Sequence, residues 1–124
     1  MFKKLTLEIQ AAISQSHTVF IERDRYTIHG LLFENPDPDN FLNKSGQITE
    51  NGAAEIDKMI RDARIDTWER EYSEWEVLDG YSWLLDLELE DGTIIRSGGQ
   101  NAYPEGWGHL EAAVKRLTGW PGVR

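Results

Sequence analysis

No cysteine occurs in the 124 residues, which excludes a disulfide framework, a thiolate metal site and a cysteine nucleophile together. No run of about 18 apolar residues occurs either, so no segment reads as a membrane-spanning helix. Basic side chains are scarce: 13 Lys and Arg stand against 22 Asp and Glu, a formal net charge of −9. A general nucleic-acid binder needs Lys and Arg to neutralise phosphates, so direct nucleic-acid binding is not expected. The start, Met1-Phe2-Lys3-Lys4, runs into Glu8 and Gln10 instead of an apolar signal core, and a cytoplasmic location is expected. What is present is a 40% hydrophobic fraction with five tryptophans. That suffices for a single domain over residues 1–124 with a buried core.

The charge is unevenly placed. Residues 34–57 hold six acidic side chains against Lys44, and residues 68–92 hold nine against Arg70, so the two stretches carry −13 and the remainder +4. Such asymmetry steers a basic partner, although solvated acidic faces also serve solubility alone.

The opening segment fits two periods. Leu5, Ile9, Ala12 and Ile13 share a helical face, whereas Leu5, Leu7 and Ile9 alternate as in a strand; the helix is the preferred expectation. Residues 17–22 and 25–33 are rich in β-formers and predict a hairpin across Arg23-Asp24. The passage Asn35 to Asn40, with Pro36 and Pro38, reads as a loop. Thr49 is an expected N-cap with Glu50 in the first turn, and Ala53, Ile56, Ile60 and Ala63, with Met59 beside them, form an apolar helical face that should pack on the sheet. Between 81 and 90, Trp83, Leu85, Leu87 and Leu89 point one way and Asp86, Glu88 and Glu90 the other, with Leu84 alone breaking the polar side. A three-residue Glu90-Asp91-Gly92 loop with Gly92 left-handed pairs Leu87 with Ile95 and Asp86 with Arg96. It is preferred to a two-residue turn, which would set Leu87 against Arg96. Pro104 suits a first helical position, Trp107, Leu110, Val114 and Leu117 form the stripe, and Gly119 followed by Pro121 stops the helix.

Few residues carry chemistry. Asp86, Glu88 and Glu90 stand in line about 6.8 Å apart on a strand. With Glu74 and Glu76 nearby and Trp75 as an aromatic anchor, they form a candidate partner-binding strip; the solvated side of a two-layer sheet would look the same. As paired catalytic carboxylates they fit poorly, since an open strand face excludes no water. Gly98, Gly99, Gln100 and Asn101, read as a turn at a helix N-terminus, offer backbone N–H groups to an anion. They match no nucleotide-binding fingerprint, and glycines that turn a strand into a helix explain them equally. His17, His29 and His109 show no metal spacing and are expected on the surface. A Ser97–His109–Asp triad has no nucleophile elbow behind it. Trp83 and Trp107 belong to expected core faces, while Trp68, Tyr72, Trp75 and Trp120 are candidate interface anchors if exposed together.

The run Asp79-Gly80-Tyr81-Ser82-Trp83-Leu84-Leu85-Asp86-Leu87, continued by Asp91-Gly92 and by Ser97-Gly98-Gly99-Gln100-Asn101-Ala102-Tyr103-Pro104 with Trp107, resembles a group of small uncharacterised bacterial and phage α+β domains. Trp68 and Tyr72 sit where those domains carry a W-x-x-x-Y ahead of the hairpin. The likeness spans roughly residues 48–117. It implies the fold and brings no assigned activity.

The expected fold is α+β, an antiparallel sheet of four or five strands with two main helices packed on one face. The expected function is a non-catalytic acidic binding module without cofactor or metal, of the inhibitor or immunity type. A phage anti-defence protein that competes with nucleic acid is one concrete version. Its partner is the basic surface of another protein, with no membrane involved. The alternative is a small-molecule or anion-binding protein or enzyme using the Gly98–Asn101 turn with Tyr103 and His109, and a sugar-binding module using exposed aromatics stands third.

Overall fold

The computed structural model describes residues 1–11, 16–31, 41–73 and 81–122. Its strands are β1 (Phe2–Ala11), β2 (Ser16–Glu22), β3 (Arg25–Leu31), β4 (Phe41–Gln47), β5 (Glu71–Ser73), β6 (Tyr81–Leu89) and β7 (Ile94–Gln100). The helices are α1 (Glu50–Asp62) and α2 (Trp107–Thr118). The strands form a single sheet in the order β4-β3-β2-β1-β6-β7-β5, antiparallel except for the parallel β5–β7 pair. The class is therefore α+β, but the sheet is mixed and has seven strands, not four or five. The extra strands are β4 and the three-residue β5, both at edges, where half the pairing is absent and the sequence need not alternate.

The opening helix expectation is corrected. Residues 2–11 form β1, the middle strand, paired with β2 on one side and β6 on the other. Leu5, Leu7 and Ile9 are fully buried against partners on both flanks, and that pairing decides a pattern the local sequence leaves open. Ala12 and Ile13 lie outside the described residues, as does the Pro36–Pro38 passage. The β2–β3 hairpin forms across Arg23-Asp24, with Ile21 opposite Tyr26. In the β6–β7 hairpin Leu87 faces Ile95, Asp86 faces Arg96, and Gly92 adopts a left-handed φ of 90°, as the three-residue loop requires.

One face of the sheet is covered. Inward residues of β1, β2, β3 and β6 join Ala53, Ile56 and Met59 of α1 and Leu110 and Val114 of α2 in one core. Thr49 caps α1, its Oγ1 accepting the Gly52 N–H at 3.0 Å. Pro104 is not the first residue of α2. Its carbonyl instead accepts the Trp107 N–H, and Gly106 precedes the helix with φ 95°. A Cβ at Gly106 would lie 2.4 Å from the Ala63 carbonyl oxygen, so only glycine fits there. Gly119, with φ 74°, ends the helix as expected. No helix among the described residues is long and apolar enough to cross a membrane.

One junction ties the first strand, the β2–β3 turn and α1 together. Arg23 donates to both Asp57 oxygens (3.3 and 3.0 Å) and to the Phe2 carbonyl (2.9 Å), and its guanidinium lies over the Phe2 ring. Asp57 Oδ1 also accepts the Phe2 N–H at 2.9 Å. Burial pushes the Asp57 carboxyl up, but the hydrogen bonds from Arg23 and Phe2 outweigh it and hold the group below its ordinary value. Asp57→Ala should cost about 2 kcal/mol in urea unfolding, because it strips charge-assisted bonds from Arg23; a change within error would show that the junction contributes nothing.

His17 is not on the surface. It is 2% exposed, and its Nε2 accepts the Trp120 indole N–H at 2.7 Å. Nδ1 therefore carries the proton, and it has no hydrogen-bond partner. Burial lowers the His17 pKa below the ordinary 6.5, so the unfolded chain takes up a proton first. Stability is fully present above pH 6.5 and declines as the pH drops from there toward the lowered folded value. Thermal unfolding should accordingly show the melting temperature falling below that pH, and His17→Gln, which keeps an acceptor for Trp120, should flatten the decline.

Candidate functional site

Strand alternation that buries one face leaves the other bare. Successive rows across β6, β1, β2 and β3 place Asp86, Thr6, Phe20 and Thr27 side by side, then Leu84, Glu8, Thr18 and His29. No element packs over these side chains among the described residues. This open face holds the Asp86 and Glu88 of the expected strip, while Glu90 lies past the strand end in the hairpin loop. Glu74, Trp75 and Glu76 lie outside the described residues.

The strip is not a run of free carboxylates. Arg96 Nε reaches Asp86 Oδ2 at 3.1 Å, the cross-strand pair foreseen from register, and Lys3 Nζ reaches Glu88 at 3.7 Å. Glu22 has Arg25 at 3.5 Å. All these cations stand toward the start of β1. The next rows toward the other end carry Glu8 and Glu71 instead, with Gln10, Ser16, Ser73, Ser82 and Gln100 beyond them. In the hairpin loop Asp91 accepts the Thr93 N–H at 2.9 Å, and that bond holds its carboxyl below the ordinary value.

Gly98, Gly99 and Gln100 belong to β7, and Asn101 follows with a left-handed φ of 58°. α2 begins only at Trp107. The expected anion-binding turn at a helix N-terminus is therefore corrected: the backbone N–H groups of this stretch serve the sheet, that of Gly98 donating to the Arg70 carbonyl at 3.0 Å. The glycines serve packing. On the inner face a Cβ at Gly99 would lie 2.5 Å from both the Trp83 indole nitrogen and the Ala102 carbonyl. On the open face Leu84 leans over Gly98, where a Cβ would meet its methyl at 2.7 Å. Two shallow clefts of about 310 and 420 Å³ flank this contact, sharing Arg70, Leu84 and Gly98.

Of the aromatic candidates, Trp68, Tyr72 and Trp120 pack in or against the core. Trp83 contacts Trp68, Tyr72, Tyr103 and Trp107 at centroid distances of 4.8 to 6.3 Å. Trp68 and Trp120 are buried, so neither is an interface anchor. The indole nitrogens of Trp68, Trp83 and Trp120 have acceptors in Ala63, Ala102 and His17. Ser97 Oγ donates to the Glu69 carbonyl at 2.5 Å, which removes it from any triad, and His29 and His109 are exposed. Among the described residues no group of three or more His, Cys, Asp or Glu is placed to hold a metal. What sequence reasoning passed over is apolar exposure: Phe20, Leu84 and Ile94 are 38, 57 and 53% exposed, all on the open face. Leu84 was legible as the break in the polar side of its strand. In comparisons with known proteins the chain matches no protein-family model, and no curated protein matches it.

Among the described residues this surface presents charges and apolar tips. Gly99→Ala should cost about 2 kcal/mol in urea unfolding, since the added methyl strikes an indole and a backbone carbonyl. Gly98→Ala should cost less, because its nearest neighbour is the far end of the Leu84 side chain. The reverse ranking would remove the packing account of the two glycines.

Proposed function

We propose that the protein is a non-catalytic acidic binding module of the inhibitor or immunity type that engages a basic surface of another protein. A phage anti-defence protein competing with nucleic acid is one concrete form. The observation that supports this reading is how the acidic side chains are distributed along the chain. Asp86 and Glu88 already face cations, whereas segments 32–40 and 74–80 hold six of the 22 acidic side chains and no basic one. The residues bordering those segments, Leu31, Phe41, Ser73 and Tyr81, all stand at one end of the sheet, the end nearer Glu8 and Glu71. Excess negative charge at one end of a small molecule gives a directed field that speeds encounter with a cationic surface.

The test is affinity purification from the native cell, followed by binding of the captured protein to variants at two ionic strengths. Affinity should weaken steeply with salt. Neutralising Glu34, Asp37, Asp39, Glu74 and Glu76 as amides should weaken it by about tenfold or more, while D86N/E88Q/E90Q should have a smaller effect. Salt-insensitive binding that survives the first set of changes would overturn the reading.

A further inference from the structure

We propose that the open face of the sheet is the contact between two copies of this chain, packed face to face with their strands antiparallel. Phe20, Leu84 and Ile94, on three different strands, put every large exposed apolar side chain of the described residues except Met1 on this face. Among the described residues the helical side exposes none. Exposed apolar side chains gathered on one face mark an interaction surface more often than scattered ones do. Extent agrees. Six inter-strand gaps of about 4.8 Å and strands of about seven residues at 3.3 Å make roughly 650 Å² in projection. Side-chain relief raises this toward the ~800 Å² per partner of a stable interface.

Charge selects the occupant. A basic partner meeting this face would confront Lys3, Lys4, Arg25 and Arg96. A second copy brings both signs. Lys3, Lys4, Arg25 and Arg96 stand toward the start of β1 among Glu22, Asp86 and Glu88, and Glu8 and Glu71 stand in the opposite half with Arg70 beside them. A two-fold axis that reverses strand direction about Thr6 sets Lys4 of each copy over Glu8 of the other, the self-complementarity that an isologous contact requires. The existing pairs, Asp86–Arg96 and Glu88–Lys3, have side chains between 37 and 64% exposed and can exchange partners at little cost. Two such sheets stack as in a β-sandwich. The inference is independent of the proposed function, which uses the end of the sheet and not its face.

Sedimentation of the full chain at up to about 200 µM and physiological ionic strength should give twice 14.3 kDa, with the mass falling on dilution. Leu84→Asp should be monomeric with unchanged circular dichroism, and Ala112→Glu, on the exposed side of α2, should remain dimeric. K4E and E8K should each weaken the dimer, and an equimolar mixture should re-form it as a heterodimer. A wild-type monomer throughout, or a dimer indifferent to Leu84→Asp, overturns the proposal; failure of the mixture to associate overturns the antiparallel arrangement.

Discussion

The indole of Trp83 is the constraint around which the second half of the molecule is arranged. It lies on β6 at the sheet's inner face, 4.8 Å from the ring of Trp107 and within 6.3 Å of Tyr72, Trp68 and Tyr103. These rings come from α2, from edge strand β5 and from the two connections that flank β5 and β7. Burying one large ring thus fixes four separate pieces of chain. Its nitrogen needs an acceptor once water is excluded, and the Ala102 carbonyl at 2.9 Å supplies it. The adjacent strand must then be bare at Gly99, and the chain turns through left-handed Asn101 to bring Ala102 into place. A segment whose glycines suggest a phosphate loop is the negative image of a tryptophan.

The distribution of charge follows from the sheet's one-sidedness. Acidic residues stand at outward positions of β1 (Glu8), β2 (Glu22), β5 (Glu71) and β6 (Asp86 and Glu88), and ion pairs form at Asp86, Glu88 and Glu22. A net of −9 is therefore a poor guide to the potential at any one place. Among the described residues the open face is close to balanced and apolar at its tips.

How much was legible depends on how far away the deciding partner lies. The β6–β7 hairpin, its left-handed Gly92 and the Asp86–Arg96 pair were readable because strand period, turn chemistry and charge agree within about fifteen residues. The α1 cap and the Gly119 stop were readable for the same reason. β1 was misread because Leu5 and Ile9 satisfy either period, and the strands that decide between them begin 11 and 76 residues beyond Leu5. His17 was misplaced because Trp120, which accounts for its burial, is 103 residues away. In the candidate site, Leu84 announced itself, but the neutralisation of Glu88 by Lys3 required knowing that β1 lies beside β6. Edge strands β4 and β5 left no periodic signature.

The placement of β1 in the middle of the sheet has a kinetic consequence. Its pairing with β2 is local, but its other edge waits for β6. A chain emerging from the ribosome can close the β1–β4 meander early and must then hold β1's second edge open until residues beyond 80 appear. Loop closure over that separation is slow. Throughout that interval the half-built sheet presents an unpaired strand edge next to Leu5, Leu7 and Ile9, the combination that invites intermolecular β-pairing. This hazard belongs to the nascent state, and the docking of β6 removes it from β1's edge.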